Sequence, residues 1–339
     1  MKSPKYILWV ISMIIMMLAA SCSQSAPDQI LTPETPSQPT NTTTPTLTTE
    51  LTPIPTHTPT RLPTDTPAPI PTLPVEQAQA KLLELLSNNG NCRLPCLWGI
   101  TPGKSDYREA RANLIPLGNI SGLMSGFTSD GGAMFPVYTE NNLKLSLSVG
   151  LNVERLVDEQ IVRNISFDAR EFQVGEPGNP YALKPIYDSK TFGERLRPYM
   201  LHALLAEYGI PAAVLISTDG GYERGRYVPG FDIVLFYPDQ GIMAAYTTYR
   251  QLVNGKVRGC PANAHVEMQL TPAGQPDSFA KIIAQTQWSN LWPISGDNPY
   301  WKSVDEATSM TLEQFYETFR QSTDKCIETP ANLWPTPEP

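Results

Sequence analysis

The side chains that could do chemistry in this 339-residue chain are few and far apart. Five cysteines stand at positions 22, 92, 96, 260 and 326, and three histidines at 57, 202 and 265. Cys92 and Cys96 are spaced C-x3-C, whereas thiol oxidoreductases favour C-x2-C opening a helix in a parallel βαβ setting; a structural bridge is expected here. His202 and His265 have no closely spaced ligand partner, so no metal site and no cofactor is predicted. Gly103-Lys104-Ser105 ends like a phosphate-binding loop, but Trp98 stands where the earlier glycine is needed, which points to a helix-capping turn and not to nucleotide. No G-x-S-x-G elbow is present. Paired Asp and Glu for glycoside chemistry depend on tertiary separation and cannot be read from spacing. Trp288, Trp292, Tyr300 and Trp301 cluster near Asp297 and Asn298 and could stack on sugar or peptide, although core packing is the plainer role. No catalytic residue is assigned.

The elements that must position these residues begin only after a long non-globular lead. Lys2 and Lys5 precede an apolar run over 6–20 without charge. A spanning helix needs roughly 20 apolar residues, so the run suits a secretory leader. Its end, Leu18-Ala19-Ala20-Ser21-Cys22, resembles the lipobox of bacterial lipoproteins, with Ala19 where that family usually has Leu, Val or Ile. The resemblance implies a signal peptide over 1–21, a diacylglyceryl group on Cys22, and membrane attachment on the extracytoplasmic face. The alternative is an ordinary leader that leaves Cys22 as a free thiol.

From residue 22 to 74 Thr and Pro dominate, as in Thr42-Thr43-Thr44-Pro45-Thr46. Such a segment cannot offset chain entropy by burial, and its prolines favour extended polyproline II; it is predicted to be a disordered tether carrying His57. Thr- and Pro-rich stalks are also substrates for O-glycosylation. Residues 75–330 are predicted to fold, with a short disordered tail over 331–339. The chain carries 25 Lys and Arg against 33 Asp and Glu. An acidic chain without a basic run argues against nucleic acid and against direct binding to an anionic lipid surface. The four cysteines after Cys22 allow three disulfide connectivities, and proximity favours Cys92 with Cys96 and Cys260 with Cys326.

Apolar periodicity predicts helices over 75–86, 106–117 (capped by Ser105), 191–208, 277–285 and 311–321, the last opened by a Thr311-x-x-Gln314 capping box. Alternation predicts strands over 137–139, 143–149, 161–167, 213–218, 231–237, 242–248 and 264–270. The order describes an α+β fold: two helix-then-antiparallel-meander units, over about 92–170 and 190–255, helices packed on one sheet face, and C-terminal helices within 256–330. Ile100-Thr101-Pro102-Gly103-Lys104-Ser105, with Ala110, Leu114 and Leu117-Gly118, resembles the helix-opening phrase of the small outer-membrane assembly lipoproteins. Leu204-Leu205-Ala206-Glu207-Tyr208-Gly209-Ile210-Pro211 is similar to that family's helix end running into its first strand. Tandem copies of such a unit form the β-lactamase-inhibitor protein, which implies a protein-binding sheet surface and no catalytic residues.

Those expectations converge on a non-catalytic, membrane-anchored lipoprotein that presents a globular domain to a protein or cell-wall partner. The rival is an envelope hydrolase acting on polysaccharide through carboxylates.

Overall fold

The computed structural model describes residues 73–118, 131–139, 143–155, 160–173, 184–186, 189–218, 221–223, 226–228, 230–286, 299–321 and 324–335. All lie in one compact unit, Thr66–Pro339. The leader, Cys22, nearly all of the tether, Trp288, Trp292, Asp297 and Asn298 lie outside the described residues.

The first helix, α1 (Val75–Asn88), buries Ala78, Leu82 and Leu86 along one stripe and stops where Asn89 takes a left-handed φ of 52°. In α2 (Tyr107–Leu114) the N-cap is Asp106 and not Ser105: its Oδ1 accepts from the amides of Arg108 and Glu109 at 2.7 and 3.2 Å. Ser105 instead accepts from the Thr101 amide through Oγ, and its carbonyl accepts from Val162. The helix predicted over 191–208 is broken into α3 (Lys190–Arg195) and α4 (Leu201–Tyr208). Pro198 lacks the amide a continuous helix requires, and Met200 is extended at ψ 151°.

Strands β1 (Gly131–Thr139), β2 (Leu143–Arg155) and β3 (Gln160–Gln173) form the first meander; β4 (Lys184–Pro185) pairs with the end of β3. The second meander uses β5 (Ala213–Ser217), β8 (Gly230–Tyr237) and β9 (Ile242–Tyr249), with β6 (Gly221–Glu223) and β7 (Arg226–Val228) as a separate hairpin. A further hairpin, β10 (Gln251–Val253) and β11 (Lys256–Gly259), precedes β12 (His265–Leu270). Strand β12 lies antiparallel to both β3 and β9, so the two meanders join in one nine-stranded sheet, completed at its far edge by β13 (Lys302–Ser303).

Registers across this sheet place Phe135, Leu147, Ala169, Val266, Tyr246, Ile233 and Ile216 in one row on one face, all buried. α1 to α4 pack into the same core, as do α6 (Val304–Thr308) and α7 (Leu312–Phe319). Among the described residues, the opposite face is covered at its β5–β8–β9 end, where Phe279 and Ile283 of α5 (Pro276–Ile283) meet Leu215, Val234, Phe236 and Met243. The C-terminal helices therefore divide between the two faces. Strand β14 (Ile327–Pro330) adds to β11, and the fold runs past the predicted limit at 330: Trp334 is buried and its Nε1 donates to Thr329 Oγ1 at 3.1 Å.

Both favoured disulfides are present. The Cys92–Cys96 loop is held from inside by Asn89, whose Nδ2 donates to the carbonyls of Cys92 and Cys96 at 2.7 and 2.8 Å. Asn89 Oδ1 lies 3.0 Å from the Tyr199 hydroxyl, which accepts from Trp98 Nε1 at 2.9 Å. Burial holds the Tyr199 hydroxyl above the ordinary tyrosine range. Tyr199→Phe leaves Trp98 Nε1 unpaired and should cost about 1–3 kcal/mol, read as a lower urea midpoint at unchanged slope. The Cys260–Cys326 bridge, 66 residues apart, closes the β11–β14 pair. Replacing both by Ser should lower stability by about 2–4 kcal/mol, measured by the same titration.

Candidate functional site

One residue along each strand from the buried row runs a second row, on the opposite face. It reads Met134, Ser148, Asp168, Glu267, Ala245, Val234, Leu215. The last three are roofed by α5, whereas Ser148, Asp168 and Glu267 are partly accessible. Ser146 and Arg170 pair beside them, as do Gly150 and Ser166. A Cβ at Gly150 would collide with Ser166 Oγ, so the small residue lets the two strands keep their register at this point. On β8 and β9, Thr247 Oγ1 donates to Asp232 Oδ1 at 2.6 Å. The result is a polar half-face over β2, β3 and β12 beside an apolar, helix-covered half.

Its charged centre is Asp168. Arg170, two residues along the same strand, donates through Nε to Asp168 Oδ2 at 2.9 Å, and its Nη2 stands 2.8 Å from the same oxygen. Glu267 is the cross-strand partner of Asp168. Directly opposed side chains have Cβ atoms about 4.5–5.5 Å apart, and like charges so placed repel. Burial raises the Asp168 carboxyl above the usual carboxylate range, against the pull of Arg170. An acid whose pKa is raised by burial thus faces a second carboxyl across a strand gap, with Arg170 beside it: two acids and a guanidinium placed to contact a charged or polar ligand.

At the start of β12, two residues before Glu267, sits His265, 5 % exposed and flanked by Phe172 and Phe192. Its Nε2 is 3.1 Å from Ile186 O and 3.4 Å from Glu171 N. A neutral ring can serve either group, donating to the carbonyl in one tautomer or accepting from the amide in the other. Burial first, and Arg170 second, push its pKa down to about 4. Glu171 is fully buried, with Arg195 Nη1 3.9 Å from Oε1 and no hydrogen bond to either carboxylate oxygen among the described residues. At zero exposure it is out of reach of any substrate.

The aromatic candidates separate. Trp301 packs against the α5-covered core, whereas Tyr300 is 45 % exposed. His202 is half-buried on α4, its pKa lowered by burial and then by Arg197. Lys104 and Ser105 belong to the turn that docks on β3, where Gly103 N donates to Val162 O at 2.7 Å. No group of three metal-ligating side chains occurs among the described residues. The Asp168–Arg170–Glu267 group is absent from the sequence reading because the predicted strand over 161–167 stops six residues short of Gln173, where β3 ends, and so short of Asp168 and Arg170. The signal lay in the alternation itself, which continues through Ala169 while Asp168 and Arg170 take the outward positions.

His265 makes the protein acid-sensitive in a definite window. Its folded pKa lies below its unfolded value, so as pH falls the unfolded chain takes up the proton first. The stability contributed by the neutral ring is whole above about pH 6.5 and is lost between about 6.5 and 4, a change of up to about 3 kcal/mol. His265→Gln keeps an amide able to meet Ile186 and Glu171. Urea midpoints taken across that range should fall less steeply for the variant than for the parent; equal slopes would remove His265 from the account. Comparison with protein-family models, with curated proteins and with solved structures finds no match for this chain.

Proposed function

We propose that the protein is an extracytoplasmic lipoprotein, anchored through Cys22, whose folded domain binds a macromolecular partner on the polar half-face of its sheet without chemical turnover. The observation that carries this is the uneven covering of one face. Among the described residues, α5 covers the apolar β5–β8–β9 end, and Ser148, Asp168 and Glu267 stay partly accessible on the same face. The likeness of two segments to tandem units with a protein-binding sheet supports the same choice. So does the Thr- and Pro-rich stretch, which at about 3.1 Å per residue could hold a domain far from the bilayer.

A second function, polysaccharide hydrolysis, is favoured by one feature: Asp168 and Glu267 are directly opposed across β3 and β12, and retaining enzymes use two carboxyls roughly 5–5.5 Å apart. Against it, Asp168 is engaged by Arg170, which donates to its Oδ2.

Full-length chain carrying a photo-reactive residue in place of Ser148 should cross-link a defined partner at the cell surface. The same residue in place of Lys281, exposed on α5, should not. Equal labelling from both positions would contradict the proposal. A fatty-acid analogue should mark the parent but not Cys22→Ser; an unmarked parent would remove the anchor. Hydrolysis of cell-wall glycans that vanishes in Asp168→Asn and Glu267→Gln would establish the second function instead.

A further inference from the structure

Away from the sheet face, the β10–β11 hairpin combines three features. All of β10 is exposed, and Leu252, at 73 %, is more exposed than any other large apolar side chain among the described residues; Tyr249 (51 %) and Val253 (36 %) flank it. The hairpin is cationic: Arg250, Lys256 and Arg258 fall within nine residues, and no Asp or Glu occurs from 240 to 266 in a chain whose net charge is −8. It is also stiff. Asn254 and Gly255 both take left-handed φ values (51° and 74°), the tight two-residue turn that fits strand twist, and the base is closed by β14 and the Cys260–Cys326 bridge.

We infer that this hairpin docks on an anionic lipid surface, with Leu252, Val253 and Tyr249 entering the headgroup boundary and Arg250 and Lys256 meeting lipid phosphates. An apolar tip ringed by cations is the composition that partitions into a charged interface, where each Lys or Arg adds to the attraction. Lys256 does lie 3.2 Å from Glu328 Oε2, but both side chains are largely exposed, and such pairs yield readily. Arg250 Nη1 donates to Thr218 O at 2.8 Å, which aims the guanidinium without neutralising it. A protein adding a strand to β10 is less well served, because three residues give a short ladder. The local charge reverses the expectation that the whole acidic chain avoids anionic lipid. The inference concerns a surface other than the polar half-face and does not depend on acylation of Cys22.

The test uses residues 66–339, a compact unit with its own core, so that the leader and lipid do not contribute. Sedimentation with phosphatidylcholine–phosphatidylglycerol vesicles should show binding that is absent with phosphatidylcholine alone and falls with salt. Leu252→Asp should weaken it about tenfold and Lys256→Gln about fivefold while urea midpoints stay unchanged. No binding by the parent, equal binding to neutral vesicles, or binding indifferent to these variants would overturn the inference. So would loss of a protein contact, and not of vesicles, in Leu252→Asp.

Discussion

Everything in this fold depends on the pairing of β12 with β3 on one side and β9 on the other. Each meander alone would end in an exposed edge, and neither is wide enough to bury the helices that pack on it. Inserting His265–Leu270 between them produces one apolar row seven strands wide. The register is set by that row: a slip of one residue would turn Val266, Met268 and Leu270 away from the main core and bring Glu267 towards it. Three buried side chains of that size are worth about 1.5–3 kcal/mol each, whereas opposed carboxyls cost less than about 1. Burial therefore decides, and Glu267 is carried opposite Asp168 as a consequence. Arg170 offsets the repulsion from within β3.

Much of this was legible because it follows from local pattern. Alternation marked β2, β3, β5, β8, β9 and β12, and the Thr311–Gln314 capping box marked the start of α7, where the reciprocal bonds are found. Sequence proximity chose both disulfides. What escaped was decided at a distance. Gly131, Gly132 and Pro136 disguise the first half of β1, which tolerates them as the edge strand of the sheet. The break between α3 and α4 follows from Pro198, whose neighbours Tyr199 and Met200 are drawn into the core and so keep a helical-looking apolar spacing. The division of the C-terminal helices could not be read at all, since α5 and α7 carry similar apolar stripes and differ only in which face of the sheet was left uncovered.

The candidate site was less legible than the fold, for a related reason. Its members come from β2, β3 and β12, Glu267 standing 99 residues beyond Asp168 in sequence, and none carries a motif. The residues that did look chemical have structural work. The cysteines close loops, Lys104 and Ser105 belong to a turn that docks on β3, and Trp301 fills the smaller core.

Asp168 holds the opposing influences of the polar half-face in one side chain. Burial pushes its carboxyl pKa up, and Arg170, donating through Nε to Oδ2, pulls it down, with burial the larger effect. Glu267 places a second carboxyl directly across the strand gap. The apolar row on the other face fixes the backbone on which all three stand, so the electrostatic balance at this point is set by neighbours whose positions were decided by burial and not by charge.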